Sequence, residues 1–158
     1  EGEFRMLTAG DKAPEFALPD ADMSITDSAG LSGKPYVIYF YPKDDTPGCT
    51  MEGIEFTDLM GEFEQLGVAV VGVSKDTCVS HAQFRDKYGL SVGLLADVEG
   101  QLCDAYGVWQ EKEAHGEKKM GIVRSTFIVD AGGVIRHAIY DVKPKGHAEQ
   151  VLELVRAL

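Results

Sequence analysis

Residues 36–41, Tyr-Val-Ile-Tyr-Phe-Tyr, constrain the fold of this chain more than any other stretch. They are β-branched or aromatic throughout, with no polar residue at every second position. A strand of that kind is buried on both faces, so it sits inside a sheet that is covered above and below. Pro42 ends it, because proline cannot donate to a sheet ladder. The polar segment that follows leads to Pro47, where the pattern becomes helical. Phe56, Leu59, Met60, Phe63 and Leu66 then fall on one face of a 3.6-residue helix, which stops at Gly67.

The same alternation continues downstream. Val68–Val73 reads as a second buried strand, and Thr77–Tyr88 as a helix closed by Gly89. Val92–Ala96 reads as a shorter strand and Leu102–Tyr106 as a short helix. Residues 110–121 are polar without an apolar period and read as a loop or hairpin arm. Ser125–Val129 and Val134–Tyr140 are strands joined by the Asp130-Ala131-Gly132-Gly133 turn. His147–Leu158 is a final amphipathic helix with Val151, Leu154, Val155 and Leu158 inward. Ahead of the first strand, Phe16–Leu18 is a short strand stopped by Pro19. Strands alternating with helices, then a hairpin and a last helix, define an α/β sandwich with a mixed central sheet flanked by helices on both faces. A length of 158 residues suits one domain with a sizeable core. The expected division is a single domain over 6–158, with Glu1–Arg5 read as an expression-vector remnant ahead of a native start at Met6.

Charge and cysteine usage narrow the function. The formal net charge of -11, with Lys and Arg scattered, gives no basic face for nucleic acid. No apolar run is long enough to span a membrane, and no secretory signal pattern is read at the N-terminus. The three cysteines, Cys49, Cys78 and Cys103, are odd in number and widely spaced, unlike a secreted disulfide framework. His81, His115, His137 and His147 lack zinc-site spacing. The expectation is a cytoplasmic, reducing setting, no metal and a reactive thiol.

The loop Pro42-Lys43-Asp44-Asp45-Thr46-Pro47-Gly48-Cys49 lies where the strand ends and the helix begins. Thr46 suits the N-cap and Pro47 the first helical position, which puts Cys49 in the first turn. Unpaired backbone N–H groups and the positive end of the helix dipole converge there, and both favour a thiolate. For in-line attack on a peroxide, one donor must hold the attacked oxygen and another must stabilise the leaving hydroxide. The Thr46 hydroxyl and the N–H groups of Gly48 and Cys49 are placed to help, and Pro42 is placed to shield the site from water. Arg124, just before a strand, is the candidate cation, with a surface or strand-capping charge as its equal alternative. The bland alternative for Cys49 is an inert small residue, but a polar, glycine-containing helix start is a poor place for core packing.

The segment Tyr41–Glu52 matches the peroxiredoxin signature Pro-x-x-x-Thr-x-x-Cys and resembles the bacterioferritin comigratory protein (PrxQ) subfamily in particular. Gly10–Phe16, Gly72–Asp76, Tyr106–Trp109 and Arg124–Asp130 fit the same pattern. The resemblance implies a thioredoxin-like fold and reduction of hydrogen peroxide and organic hydroperoxides, with no metal or bound cofactor. It implies a thiol electron donor (thioredoxin, glutaredoxin or a small thiol) and a monomer. Carried over residue by residue, Cys49 is the peroxidatic cysteine, Thr46 and Arg124 activate it and bind peroxide, Pro42 shields it, and Glu52 orders the loop. Trp109 matches a family aromatic and reads more simply as packing.

The chain departs from the family at the resolving cysteine. The two usual positions hold Ile54 and Arg85. Cys78, seven residues before Arg85, shares its helical face but lies roughly 10 Å away along the axis. Cys103 reads mainly as a core residue. Three cycles stay open: direct reduction of a Cys49 sulfenic acid by an external thiol, condensation with Cys78, or pairing with another subunit. The first is favoured, because a bridge to Cys78 requires backbone movement. Two other functions compete. A thioredoxin-like disulfide reductase would need a thiol at Met51, and a stoichiometric redox sensor would not turn over.

Overall fold

A computed structural model describes residues 5–158. Most of the expected remnant, residues 1–4, lies outside the described residues. Five strands form the central sheet: β3 (Tyr36–Phe40), β4 (Ala69–Ser74), β5 (Gly93–Ala96), β8 (Ser125–Val129) and β9 (Ile135–Ile139), in the order β5-β4-β3-β8-β9. β3 runs parallel to β4 and antiparallel to β8, so the sheet is mixed and β3 is its middle strand. All five residues of β3 are buried. Val37, Tyr39 and Tyr41 point to one face, and Tyr36, Ile38 and Phe40 to the other.

The first face is covered by α2 (Pro47–Gln65), α3 (Cys78–Tyr88) and α5 (His147–Arg156). Phe56, Phe63, Phe84, Val151 and Val155 pack there with Cys49. Phe56 stacks on Tyr39 with ring centroids 4.6 Å apart. Full burial of such a phenylalanine contributes about 2 kcal/mol. The second face is covered by α4 (Gln101–Ala105) and the segment around Leu7 and Ala13, with Cys103, Tyr106 and Val108 in the core. A small hairpin of β1 (Ala17–Pro19) and β2 (Ile25–Asp27) leads into a single turn, α1 (Ser28–Leu31).

The polar arm is a hairpin, β6 (Trp109–Ala114) paired with β7 (Glu117–Ile122). Its turn places His115 and Gly116 at φ 54° and 79°, the left-handed pair of a tight hairpin turn. Its outer residues are exposed on both faces, so no alternation of apolar and polar residues marked it as strand. The last helix also differs from its expected packing. It ends at Arg156, Leu158 is 40% exposed, and His147, Ala148 and Leu152 join Val151 and Val155 in the buried face. Leu154 is only partly buried there. No helix among the described residues is long and apolar enough to cross a membrane.

Candidate active site

The site forms where β3 ends and α2 begins. Thr46 occupies the N-cap and Pro47 the first helical position, but the Thr46 side chain does not cap the helix. Its Oγ1 donates to the Lys43 carbonyl at 2.8 Å instead. This corrects the expected donor role of Thr46: with its one hydrogen committed to Lys43, the oxygen is left as an acceptor. The N–H groups of Gly48 and Cys49 lie in the first turn and have no partner among the described residues.

Cys49 is 3% exposed. β8 pairs with β3 so that Ser125 lies opposite Phe40, which delivers Arg124 to the start of α2. Arg124 Nη2 donates to Cys49 Sγ at 3.5 Å and Nη1 donates to Glu52 Oε1 at 2.7 Å. Arg124 is thus neither a free surface charge nor a strand cap. Glu52 is wholly buried, and its Oε2 has no partner among the described residues. Burial pushes the Glu52 carboxyl up to about 7, against the opposing pull of Arg124. Burial alone would pull the Arg124 guanidinium down, and Glu52 and Cys49 beside it more than offset that.

Pro42, Val123, Val142 and Arg124 line a cleft of about 540 Å³, which also meets Tyr140, Asp141, Gln110 and Lys112 of the hairpin arm. Pro42 and Arg124 therefore border the same cleft, whose lining does not include Cys49 or Thr46. Behind Arg124, the buried His147 shares a hydrogen bond with Thr126 Oγ1 at 2.7 Å, and burial holds its imidazole below the usual range.

The other cysteines stand apart. Cys103 packs on the opposite face of the sheet from Cys49, and burial together with Asp97 pushes its thiol well up. Cys78 is half-buried at the first position of α3, and all three thiols are free. Ile54 is 37% exposed on α2, while Arg85 pairs with Asp22 and Asp86 at 2.8 and 2.9 Å. Trp109 packs beneath Lys75, whose Nζ lies 3.9 Å from the ring centroid.

Sequence reasoning missed the polar group under the loop. Asp44, Asp76 and His81 bring potential ligand atoms within 4.8 Å of one another; the Asp44 carboxylate bonds to His81, Tyr41 and Ser80, and the Asp76 carboxylate accepts from the Asp44 backbone N–H and from Ser74. One signal was present: His81 shares the buried face of α3 with Phe84.

Known proteins with this architecture agree. The AhpC/TSA family matches residues 9–138. Peroxiredoxin Bcp of Escherichia coli K12 is 39% identical over 150 residues, 95% of this chain and 96% of that one. A mutant of Xylella fastidiosa PrxQ superposes with a TM-score of 0.91 at 36% identity, covering 97% of both chains. The bacterioferritin comigratory protein of Xanthomonas campestris, described for its alkyl peroxide reduction activity, gives a TM-score of 0.87 at 36% identity over 98% of both chains. A thioredoxin-like sheet, a cysteine at a helix start and likeness over nearly the whole length lead to one assignment: this chain belongs to the AhpC/TSA family as a thiol peroxidase of the Bcp/PrxQ peroxiredoxins.

Proposed function

We propose that Cys49 is the peroxide-reducing thiolate of this enzyme. The observation that carries the reading is the Arg124 guanidinium, which bridges the Cys49 sulfur at 3.5 Å and the buried Glu52 carboxylate at 2.7 Å. The cation meets the sulfur at a helix start that carries the N–H groups of Gly48 and Cys49, donors suited to the charge that develops during attack. The thiolate attacks the terminal oxygen of the hydroperoxide and the O–O bond breaks. The remaining oxygen leaves as water or an alcohol after taking up a proton, and the sulfur becomes a sulfenic acid. Thr46, as an acceptor, receives the peroxide O–H and aligns it. Pro42 walls the site, and Glu52 holds Arg124 in place.

Hydrogen peroxide and organic hydroperoxides are the proposed substrates. The cleft beside Arg124 has apolar walls at Pro42, Val123 and Val142 that suit an alkyl group. The alkyl peroxide activity of the similar Xanthomonas campestris protein supports the same reading.

The sulfenic acid is reduced directly by an external thiol (thioredoxin, glutaredoxin or a small thiol). Two equivalents of thiol give the reduced enzyme, water and a disulfide. Cys103 is separated from Cys49 by the sheet, and the usual resolving positions hold Ile54 and Arg85. Cys78 is the second candidate for resolution. The enzyme works as a monomer in a reducing compartment, the cytoplasm.

The test is non-reducing peptide mapping after one equivalent of peroxide, with turnover measured on Cys49→Ser. A trapped Cys49 sulfenic acid and an inactive, folded variant are expected. A Cys49–Cys78 bridge ends the one-cysteine cycle, and an active Cys49→Ser ends the assignment.

A further inference from the structure

The loop carrying Pro42 and Thr46 is held from beneath by buried polar side chains that the peroxide chemistry does not use. Asp44 is 7% exposed and His81 is fully buried. The Asp44 carboxylate accepts from Tyr41 Oη at 2.6 Å and from Ser80 Oγ at 2.8 Å, and it lies 2.7 Å from His81 Nδ1. His81 Nε2 lies 2.9 Å from the Leu95 carbonyl oxygen in β5. The Asp44 N–H donates to Asp76 Oδ2 at 2.8 Å, and that oxygen also accepts from Ser74 Oγ at 2.6 Å. Loop, α3, β4 and β5 thus meet at one residue pair.

The hydrogen inventory of that pair is restrictive. A carbonyl oxygen only accepts, so Nε2 must carry a hydrogen. The Asp44 oxygens already accept from two hydroxyls, so a further proton must lie between Nδ1 and Oδ2. That proton ties the ring to the carboxylate while Nε2 ties it to β5, so both ring nitrogens are held. Separating the pair leaves buried polar atoms without partners, so it opposes any movement that pulls the loop from α3. Around it, α3 also grips the next loop residue at the surface, where Asp45 accepts from Lys87 Nζ at 2.8 Å and Tyr88 Oη at 2.6 Å. Asp45 sits at φ 59°, in the left-handed region that few non-glycine residues adopt.

We propose that His81, clamped through both ring nitrogens between Asp44 and the Leu95 carbonyl, is a positioning residue for the peroxide-binding loop. Through Asp44 it keeps Pro42 and Thr46 closed over Cys49. Peroxide is small and reacts in the closed loop, whereas a reducing thiol must reach a sulfur that is 3% exposed. Weakening the clamp therefore slows the first half-reaction and speeds the second. This rests on the peroxidase reading of Cys49 given above.

The experiment has two arms. In the first, ¹⁵N NMR of the reduced wild-type protein at pH 7 reads the His81 ring nitrogens. A hydrogen fixed on Nε2 and a strongly hydrogen-bonded Nδ1 are expected, and a bare Nε2 or a ring in free exchange with solvent overturns the proposal. This arm is independent of peroxide chemistry, so it distinguishes failure of the clamp from failure of the assigned function.

In the second arm, the two half-reactions are timed separately for His81→Gln and for the milder Tyr41→Phe, which keeps the pair and removes one hydroxyl. The peroxide step should slow by about tenfold or more in His81→Gln, while reduction of the sulfenic acid by dithiothreitol accelerates. Tyr41→Phe should shift both rates in the same directions by less. Val155→Ala in α5, destabilised without touching the loop, should leave both rates unchanged. If the clamp variants slow both steps alike, or leave the peroxide step at the wild-type rate, His81 does not position the loop.

Discussion

Gly48 and Arg124 share one space: a Cβ on Gly48 would lie 3.0 Å from Arg124 Nη2 and 3.3 Å from Pro144 Cγ. The missing side chain is what lets the guanidinium reach the helix start and the Cys49 sulfur. Gly48→Ala keeps the helix, since alanine is the better helix former, but pushes Arg124 aside. The expected result is a loss of about tenfold in the peroxide rate with little change in Tm, because a misplaced group near the reacting atoms is costly in rate. Competition against catalase for peroxide measures it.

The Thr46 hydroxyl donates its hydrogen to the Lys43 carbonyl, which leaves the oxygen able to accept. Thr46→Ser keeps the hydroxyl and its Lys43 contact and should hold the peroxide rate within a few-fold of wild type. Thr46→Val removes them and should slow that step by about a hundredfold, the scale of losing one aligned polar group in a catalytic site. Circular dichroism should be unchanged in both. Equal rates for the two variants would remove Thr46 from the site.

The Glu52 carboxyl is pushed up to about 7 in the folded chain, against an ordinary value of 4.5. The folded state therefore holds that proton more tightly than the unfolded one. Its contribution to stability is complete below pH 4.5 and is lost as pH rises through about 7, a difference of about 3 kcal/mol at most. Urea unfolding between pH 5 and 8 should show this decline in wild type, and Glu52→Gln should flatten it. Arg124→Ala strips Glu52 of its partner and should destabilise the fold by about 3 kcal/mol at pH 8. Adding Glu52→Gln should restore much of that loss without restoring the peroxide rate.

Cys103 lies across the sheet from Cys49, with its thiol held up by burial. Cys103→Ala should keep full peroxide turnover while lowering stability by about 1 kcal/mol through the small cavity it leaves. In the folded wild type, iodoacetamide should label Cys103 last of the three cysteines.

Much of the architecture was legible because it rests on local patterns. The unbroken apolar run of Tyr36–Tyr41 identified the middle strand, and the period of Phe56, Leu59, Met60 and Phe63 identified α2, whereas Leu66, expected on the same face, is the C-cap and 43% exposed. Gly89 marked the end of α3, where it adopts the left-handed conformation at φ 65°. Residues 110–121 read as a loop or a hairpin arm because both faces of β6–β7 meet solvent and nothing there alternates; the antiparallel pairing decides for the hairpin. Leu158 was misplaced because helical period alone does not say where a terminal helix stops packing.

The sequence by itself determined that a sulfur stands at a helix start after a doubly buried strand, because spacing, proline and glycine act through the local backbone. Only the tertiary structure decided what surrounds that sulfur. Arg124 arrives through antiparallel pairing of β8 with β3, Glu52 turns inward and is stripped of water, and His81 meets Asp44 across 37 residues of chain. Such contacts depend on how sheet and helices pack, and residues far apart in sequence carry no local signal of the neighbour that packing will give them.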